Sequence, residues 1–230
     1  MLGQPGQSDS YLSFSVFGIP VRIHWFFWVV GVLLGADNFS MGIEFLLGWM
    51  LVFFVSILGH ELGHALAAVY FGYRPQILLY GMGGLAQYTP TGQYNRGQSI
   101  TIVLAGPFAG YFLAVVGLVA SPFVASLGAS LPGRIGSVLN SMVVSLIIVN
   151  LFWSTLNLMP VLPLDGGQIC RDILTYVDKR RGMTWTRWIG VFVGGIIAAT
   201  FLMLGAFFGA LLFFMIALQN YQALQMERWR

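Results

Sequence analysis

Leu58-Gly59-His60-Glu61-Leu62-Gly63-His64-Ala65 carries the pattern H-E-x-x-H inside a stretch that otherwise reads as a membrane-spanning helix. On a helix, positions i and i+4 share a face, so His60 and His64 can offer two imidazoles to one metal while Glu61 lies close beside them. Two of the chain's three histidines and one of its eight acidic residues sit here. On a polar helix surface the same pattern arises by chance and binds nothing. The flanks exclude that reading, because residues 45 to 58 carry no charge and Ala65 to Gly72 continues apolar. Ionisable groups at membrane depth cost about 3 kcal/mol each on insertion scales and mark functional sites. A bound divalent cation offsets much of that cost by neutralising carboxylates and taking the imidazole lone pairs.

Composition agrees with a membrane setting. The 230 residues are 57% hydrophobic and only 8% charged, and the mean hydropathy is +0.80. One integral membrane domain follows. The single cysteine, Cys170, excludes an internal disulfide and reads as a small buried or membrane-facing side chain. A net charge of +3, with the basic residues gathered where loops should be, suits a cytoplasmic membrane face and gives no nucleic-acid signal. Residues 1 to 12 lack a basic n-region, so no cleavable signal peptide is expected.

Working outward from the motif, Met1 to Ser10 reads as a disordered tail and Tyr11 to Ile23 as a short extended piece at the membrane interface. The corresponding domain boundaries are a flexible tail at 1–13, a membrane domain at 14–222 and a C-terminal tail at 223–230. Arg22, His24, Trp25 and Trp28 have the character of boundary residues, which makes His24 an interfacial anchor rather than a ligand. A first span runs from about Trp25 to Gly35, and a polar turn follows at Asp37 to Ser40. The second covers Met41 to Gly72, about 48 Å if wholly helical against a hydrocarbon core of about 30 Å, so it must protrude, tilt or kink.

Residues 73 to 97 do not read as a span. Gln76 to Tyr80 is strand-like, Gly81-Met82-Gly83-Gly84 is a turn signal, and Leu85 to Tyr88 resumes an extended pattern. A membrane-associated β-hairpin results, tolerable only where it is buried against protein or lines a wet cavity. Its edge could accept an extended peptide by strand addition; an ordinary interfacial loop is the plain alternative. The third span, Ser99 to about Val124, holds Gly106-Pro107-Phe108-Ala109-Gly110, whose G-x-x-x-G spacing signals close helix packing.

The fourth span, about Val138 to Leu156, ends in Asn157-Leu-Met-Pro160-Val-Leu-Pro163-Leu-Asp165-Gly166-Gly167. Pro160 and Pro163 force an extended or kinked backbone just before Asp165. Six other acids, Asp9, Asp37, Glu44, Asp172, Asp178 and Glu227, fall in tails, loops or span edges, which leaves Asp165 as the best third ligand. Asn157 is either a helix-terminating side chain or a substrate-binding amide. A basic segment follows, holding Arg171, Lys179, Arg180, Arg181 and Arg187, and Trp188 to Leu218 fits one tilted helix or two short ones. The positive-inside rule favours two, giving about six transmembrane helices in all. On that count the N-terminus, residues 73 to 97 and the basic segment share the cytoplasmic side, and the ends of spans two and four bring His60, His64 and Asp165 together.

Two histidines and a carboxylate leave tetrahedral zinc one open position, the arrangement of a catalytic site. Glu61 would serve as general base, and Asn157 would hold the substrate backbone or help stabilise the oxyanion. His60-Glu-Leu-Gly-His64 together with Asn157-x-x-Pro-x-x-x-Leu-Asp165-Gly resembles the site-2 protease family of intramembrane zinc metalloproteases. Phe17 to Trp25, the hairpin at 76 to 88 and the Gly106 to Gly110 element also match, so the resemblance spans residues 14 to 222. It implies His60, His64 and Asp165 as zinc ligands, Glu61 as catalytic acid/base and Asn157 as a conformationally important active-site residue. It also implies regulated intramembrane proteolysis of single-span, membrane-anchored regulatory proteins such as transcription-factor precursors or anti-sigma factors. Neither a PDZ insertion nor a nucleotide-sensing domain lies within these 230 residues, so substrate choice by those modules is not expected. The competing readings are a divalent-metal-binding transporter with the same ligands and a non-catalytic membrane scaffold. The absence of further intramembrane acids or histidines along a plausible path favours the enzyme, and the sequence leaves the oligomeric state open.

Overall fold

A computed structural model of the chain describes residues 11–81, 83–89 and 95–228. The tail reading of residues 1–10, and the readings that involve Met82 or Arg230, lie outside the described residues. The elements run β1 (Tyr11–Val16), β2 (Ile19–His24), α1 (Trp25–Leu34), α2 (Ala36–Met41), α3 (Ile43–Tyr70), β3 (Gln76–Tyr80), β4 (Gly83–Gln87), α4 (Arg96–Ser130), α5 (Ile135–Asn157), α6 (Asp165–Val177), α7 (Gly182–Met203) and α8 (Phe207–Arg228). They form two compact units, one of β1 to β4 and α1 to α3 with Ala105–Ser154, the other of Asn95–Leu104 with residues 155–228.

In the first unit, residues 11–24 do more than skirt the interface. The four strands make one sheet in the order β1-β2-β3-β4. β1 and β2 pair antiparallel, β2 and β3 parallel through Val21↔Ile77 and Ile23↔Leu79, and β3 and β4 antiparallel from Gln76↔Gln87 to Tyr80↔Gly83. Strand β1 begins at Tyr11, within the segment expected to be tail, because its backbone pairs with His24 at the far end of β2. Strand β2 alternates, burying Ile19, Val21 and Ile23, and β3 buries Ile77 and Leu79. These five side chains pack with Phe27 of α1 and Phe53, Ile57 and Ala65 of α3 into one core. Period-2 alternation thus presses the sheet onto the face of α3 that carries the H-E-x-x-H motif.

The polar stretch at 37–40 is a short helix rather than a turn, and Gly42, at φ +135°, separates it from α3. Helix α3 has 28 residues, about 42 Å at 1.5 Å per residue, so it outruns the hydrocarbon core as expected. Helix α4 is longer than the third span read from sequence, 35 residues, and continues through Pro107 and Pro122.

The second unit settles the count of the last apolar stretch. It is two helices, α7 and α8, separated at Gly205, whose φ of +75° suits glycine. Ahead of them, α6 occupies 13 residues that the sequence reading left without an element.

Five of these helices, α3, α4, α5, α7 and α8, are long and apolar enough to cross a membrane, and α1 is a shorter apolar helix of 10 residues. Large hydrophobic side chains stay exposed along them, among them Phe112, Ile148, Phe192 and Phe214. An apolar surface this extensive is the mark of a lipid-facing protein. The chain is an integral, multi-pass helical membrane protein in contact with the lipid bilayer, and among the described residues its small sheet is the one departure from an all-α architecture.

Candidate metal centre

Helix α3 presents His60 and His64 one turn apart, and their Nε2 atoms lie 3.2 Å from each other. Both are buried, as is Glu61 between them. One ligand atom from each of the three comes within 4.8 Å of the others. Two imidazole nitrogens bound to a tetrahedral zinc at about 2.0–2.1 Å would stand about 3.3–3.4 Å apart. The observed spacing therefore fits such an ion with little ring movement.

Backbone approaches the trio closely from two other elements. A Cβ at Gly84 of β4 would overlap the Glu61 side chain and come 2.6 Å from its Oε1, and a Cβ at Gly106 of α4 would overlap the His64 ring. The turn signal and the G-x-x-x-G spacing read in the sequence thus acquire a specific use: they let a strand and a helix close over the motif. Trp153 of α5 lies beside Gly83 at the start of β4, where a Cβ would stand 2.8 Å from its ring.

One turn before His60, Ser56 accepts a hydrogen bond from Asn150 Nδ2 at 2.8 Å, and the same amide donates to the Leu146 carbonyl at 2.8 Å. This buried polar link ties α5 to α3 and was not singled out from sequence, where the available signal was an asparagine within an apolar helix. Asn150→Ala is expected to lower stability by about 1 kcal/mol, the scale of interhelical hydrogen bonds in membranes. A lowered thermal midpoint in detergent is the measurement that checks it.

The second unit holds the remaining candidates. Asn157 is the last residue of α5 and Asp165 the first of α6. Asp165 is buried. The intervening backbone is a tight series of turns, with Met159 N–H donating to the Leu156 carbonyl, Val161 to Met159 and Leu164 to Val161. Gly166 and Gly167 let the start of α6 lie directly on this loop, for a Cβ at either would overlap the backbone of residues 158–162. Farther along α6, Asp172 accepts from Ser99 Oγ at 2.7 Å and from Arg171 Nε at 2.9 Å. Asp172, grouped from sequence with the acids of tails, loops or span edges, is thus a buried structural acid.

His24 caps α1, accepting from Phe26 N–H at 3.2 Å, and packs against the rings of Tyr11 and Tyr80. Burial pushes the Cys170 thiol up from its ordinary pKa, with a Thr186 hydrogen bond acting the other way.

A family model described as Peptidase family M50 matches residues 133–201. The solved structure of the site-2 protease from Methanocaldococcus jannaschii superposes with a TM-score of 0.60 at 26% identity, covering 94% of each chain. In sequence and fold the chain is similar to the site-2 protease family. The chain is also similar to a zinc metalloprotease of M. jannaschii, 29% identical over 84% of this chain and 52% of that protein. Stage IV sporulation protein FB of Bacillus subtilis is 28% identical over 66% of this chain and 46% of its own. The chain spans about half the length of the curated relatives it matches.

Proposed function

We propose that this chain is a zinc-dependent intramembrane endopeptidase of the site-2 protease type. It hydrolyses peptide bonds in or near the transmembrane segments of single-span, membrane-anchored regulatory proteins. The observation that carries this reading is the buried pair His60 and His64, 3.2 Å apart on an apolar helix, with Glu61 buried beside them. His60, His64 and Asp165 would hold the metal, the third on the strength of its burial, its carboxylate chemistry and the family resemblance. The chemistry zinc supplies when bound is polarisation of a carbonyl and activation of a water near neutral pH.

Glu61 takes the proton of the attacking water and passes it to the leaving amine. Its burial under Gly84 excludes bulk water from that carboxylate. Asn157 binds the substrate backbone near the reacting carbonyl. Strand β4 ends the sheet, and its outer edge is where an unwound substrate segment adds as a further strand. A helical peptide bond is sterically screened and already hydrogen-bonded, so docking in extended form prepares it for attack.

The cluster of Arg171, Lys179, Arg180, Arg181 and Arg187 supports a cytoplasmic membrane location with the active site towards the cytoplasmic side. The test is purified protein in proteoliposomes with tagged single-span substrates. Zinc is expected at one ion per chain; a chelator should abolish cleavage and added zinc restore it. Zinc binding without cleavage across a broad substrate panel would sink the protease reading and point to ion transport.

A further inference from the structure

We infer that Asn220 of α8 is a positioning residue for Asp165, an inference that rests on the proposed ligand role of Asp165. Asn220 is buried in an apolar helix, and its Nδ2 donates to the Leu162 carbonyl at 2.7 Å as well as to the Ile216 carbonyl at 2.9 Å. The second bond is an ordinary bond back along the helix. The first reaches 58 residues away in sequence, to the loop that delivers Asp165.

That loop is held on every side by small or buried groups. Val161 is fully buried, and Gly194 of α7 faces both Val161 and Ala217 of α8, a Cβ there standing 3.5 Å and 3.2 Å from them. Gly190, one turn earlier on α7, leaves room for the Asn220 amide: a Cβ would lie 2.9 Å from its Oδ1 and 3.3 Å from its Nδ2. The Leu164 N–H closes on the Val161 carbonyl at 2.8 Å, and Gly166 and Gly167 seat the first turn of α6 on the same backbone. A displacement of the Leu162 carbonyl is therefore passed through rigid backbone contact to Asp165, three residues on. The amide fixes where the α6 N-terminus sits and, with it, the Asp165 carboxylate.

An asparagine serves here because the Leu162 carbonyl needs a donor and α8 offers no free backbone N–H at mid-helix. Loss of a group that orients a metal ligand typically weakens metal binding by about 10–100-fold.

The test measures zinc affinity of the detergent-purified full chain by competition with a fluorescent chelator, together with the thermal midpoint, for five proteins. These are wild type, Asn220→Leu, Gly190→Ala, Phe213→Leu and Asp165→Asn. Asn220→Leu removes the donor at similar volume, and Gly190→Ala presses on the same amide from α7, so the two reach the loop by different routes. Phe213→Leu loosens the α7–α8 packing at Phe201 without touching the amide. The expected result is zinc affinity lowered about tenfold or more in both Asn220→Leu and Gly190→Ala, with Phe213→Leu at wild-type affinity. Wild-type affinity in both amide variants, with affinity lost in Asp165→Asn, overturns the inference and leaves the ligand reading standing. Equal weakening in Phe213→Leu also overturns it, since general loosening would then account for the effect. Wild-type affinity in Asp165→Asn removes the ligand reading itself.

Discussion

Glu61→Gln is expected to keep its zinc and lose cleavage by about two to four orders of magnitude, the usual contribution of a positioned general base. The substitution is isosteric, so the fit beneath Gly84, where a Cβ would stand 2.6 Å from Oε1, is preserved. The amide cannot accept the water proton, and that capacity is what the reaction needs from this position. His60 and His64 are untouched, and their 3.2 Å spacing depends on the helix rather than on Glu61. The measurement pairs initial rates on a tagged single-span substrate in proteoliposomes with metal analysis of the same preparations. Cleavage at the wild-type rate in Glu61→Gln would remove the general base from the mechanism. A transporter with the same ligands needs no such base, so the same experiment separates the two classes of function.

The parts of the centre that were legible in sequence are those encoded locally. His60, Glu61 and His64 sit on one turn of one helix, and helical periodicity alone predicts that they meet. The hairpin at 76–88 was legible because turn residues separate two short extended runs. The rest of the sheet was not, since β2 pairs in parallel with β3 across the whole of α1, α2 and α3, and no local pattern announces a partner so distant. Helix α6 escaped for a different reason. Two glycines in its first turn lower helix propensity by about 1 kcal/mol each, and only packing on the backbone of residues 158–162 explains their presence. Neither Asn150, within an apolar run, nor Asn220, among the glutamines that follow Leu218, was singled out from sequence. Their partners, Ser56 and the Leu162 carbonyl, lie 94 and 58 residues away and become visible only when the helices are assembled.

Gly106→Ala is expected to weaken zinc binding by about 10–100-fold or more while leaving the protein folded. Gly106 faces the His64 ring so closely that a methyl group would overlap Nε2 and Cε1. Neither side can yield cheaply. The ring is buried, with His60 Nε2 3.2 Å away, and Pro107, the next residue of α4, is itself fully buried. The methyl must either turn the imidazole away from the metal position or push α4 off α3. The first response takes His64 Nε2 out of a spacing that suits tetrahedral zinc; the second leaves that spacing intact and shows as a lowered thermal midpoint. Alanine favours the helix over glycine by about 1 kcal/mol, so lost affinity in a protein of unchanged thermal midpoint could not be ascribed to unfolding. Gly117→Ala is the matched control on the same helix, since the group met first there is the Ile147 side chain, 2.8 Å from the added methyl, and no residue of the metal motif. Chelator competition on wild type, Gly106→Ala and Gly117→Ala decides the matter. Wild-type affinity in Gly106→Ala would show that the His64 ring can bind metal from another rotamer, and that the closeness of α4 is packing alone.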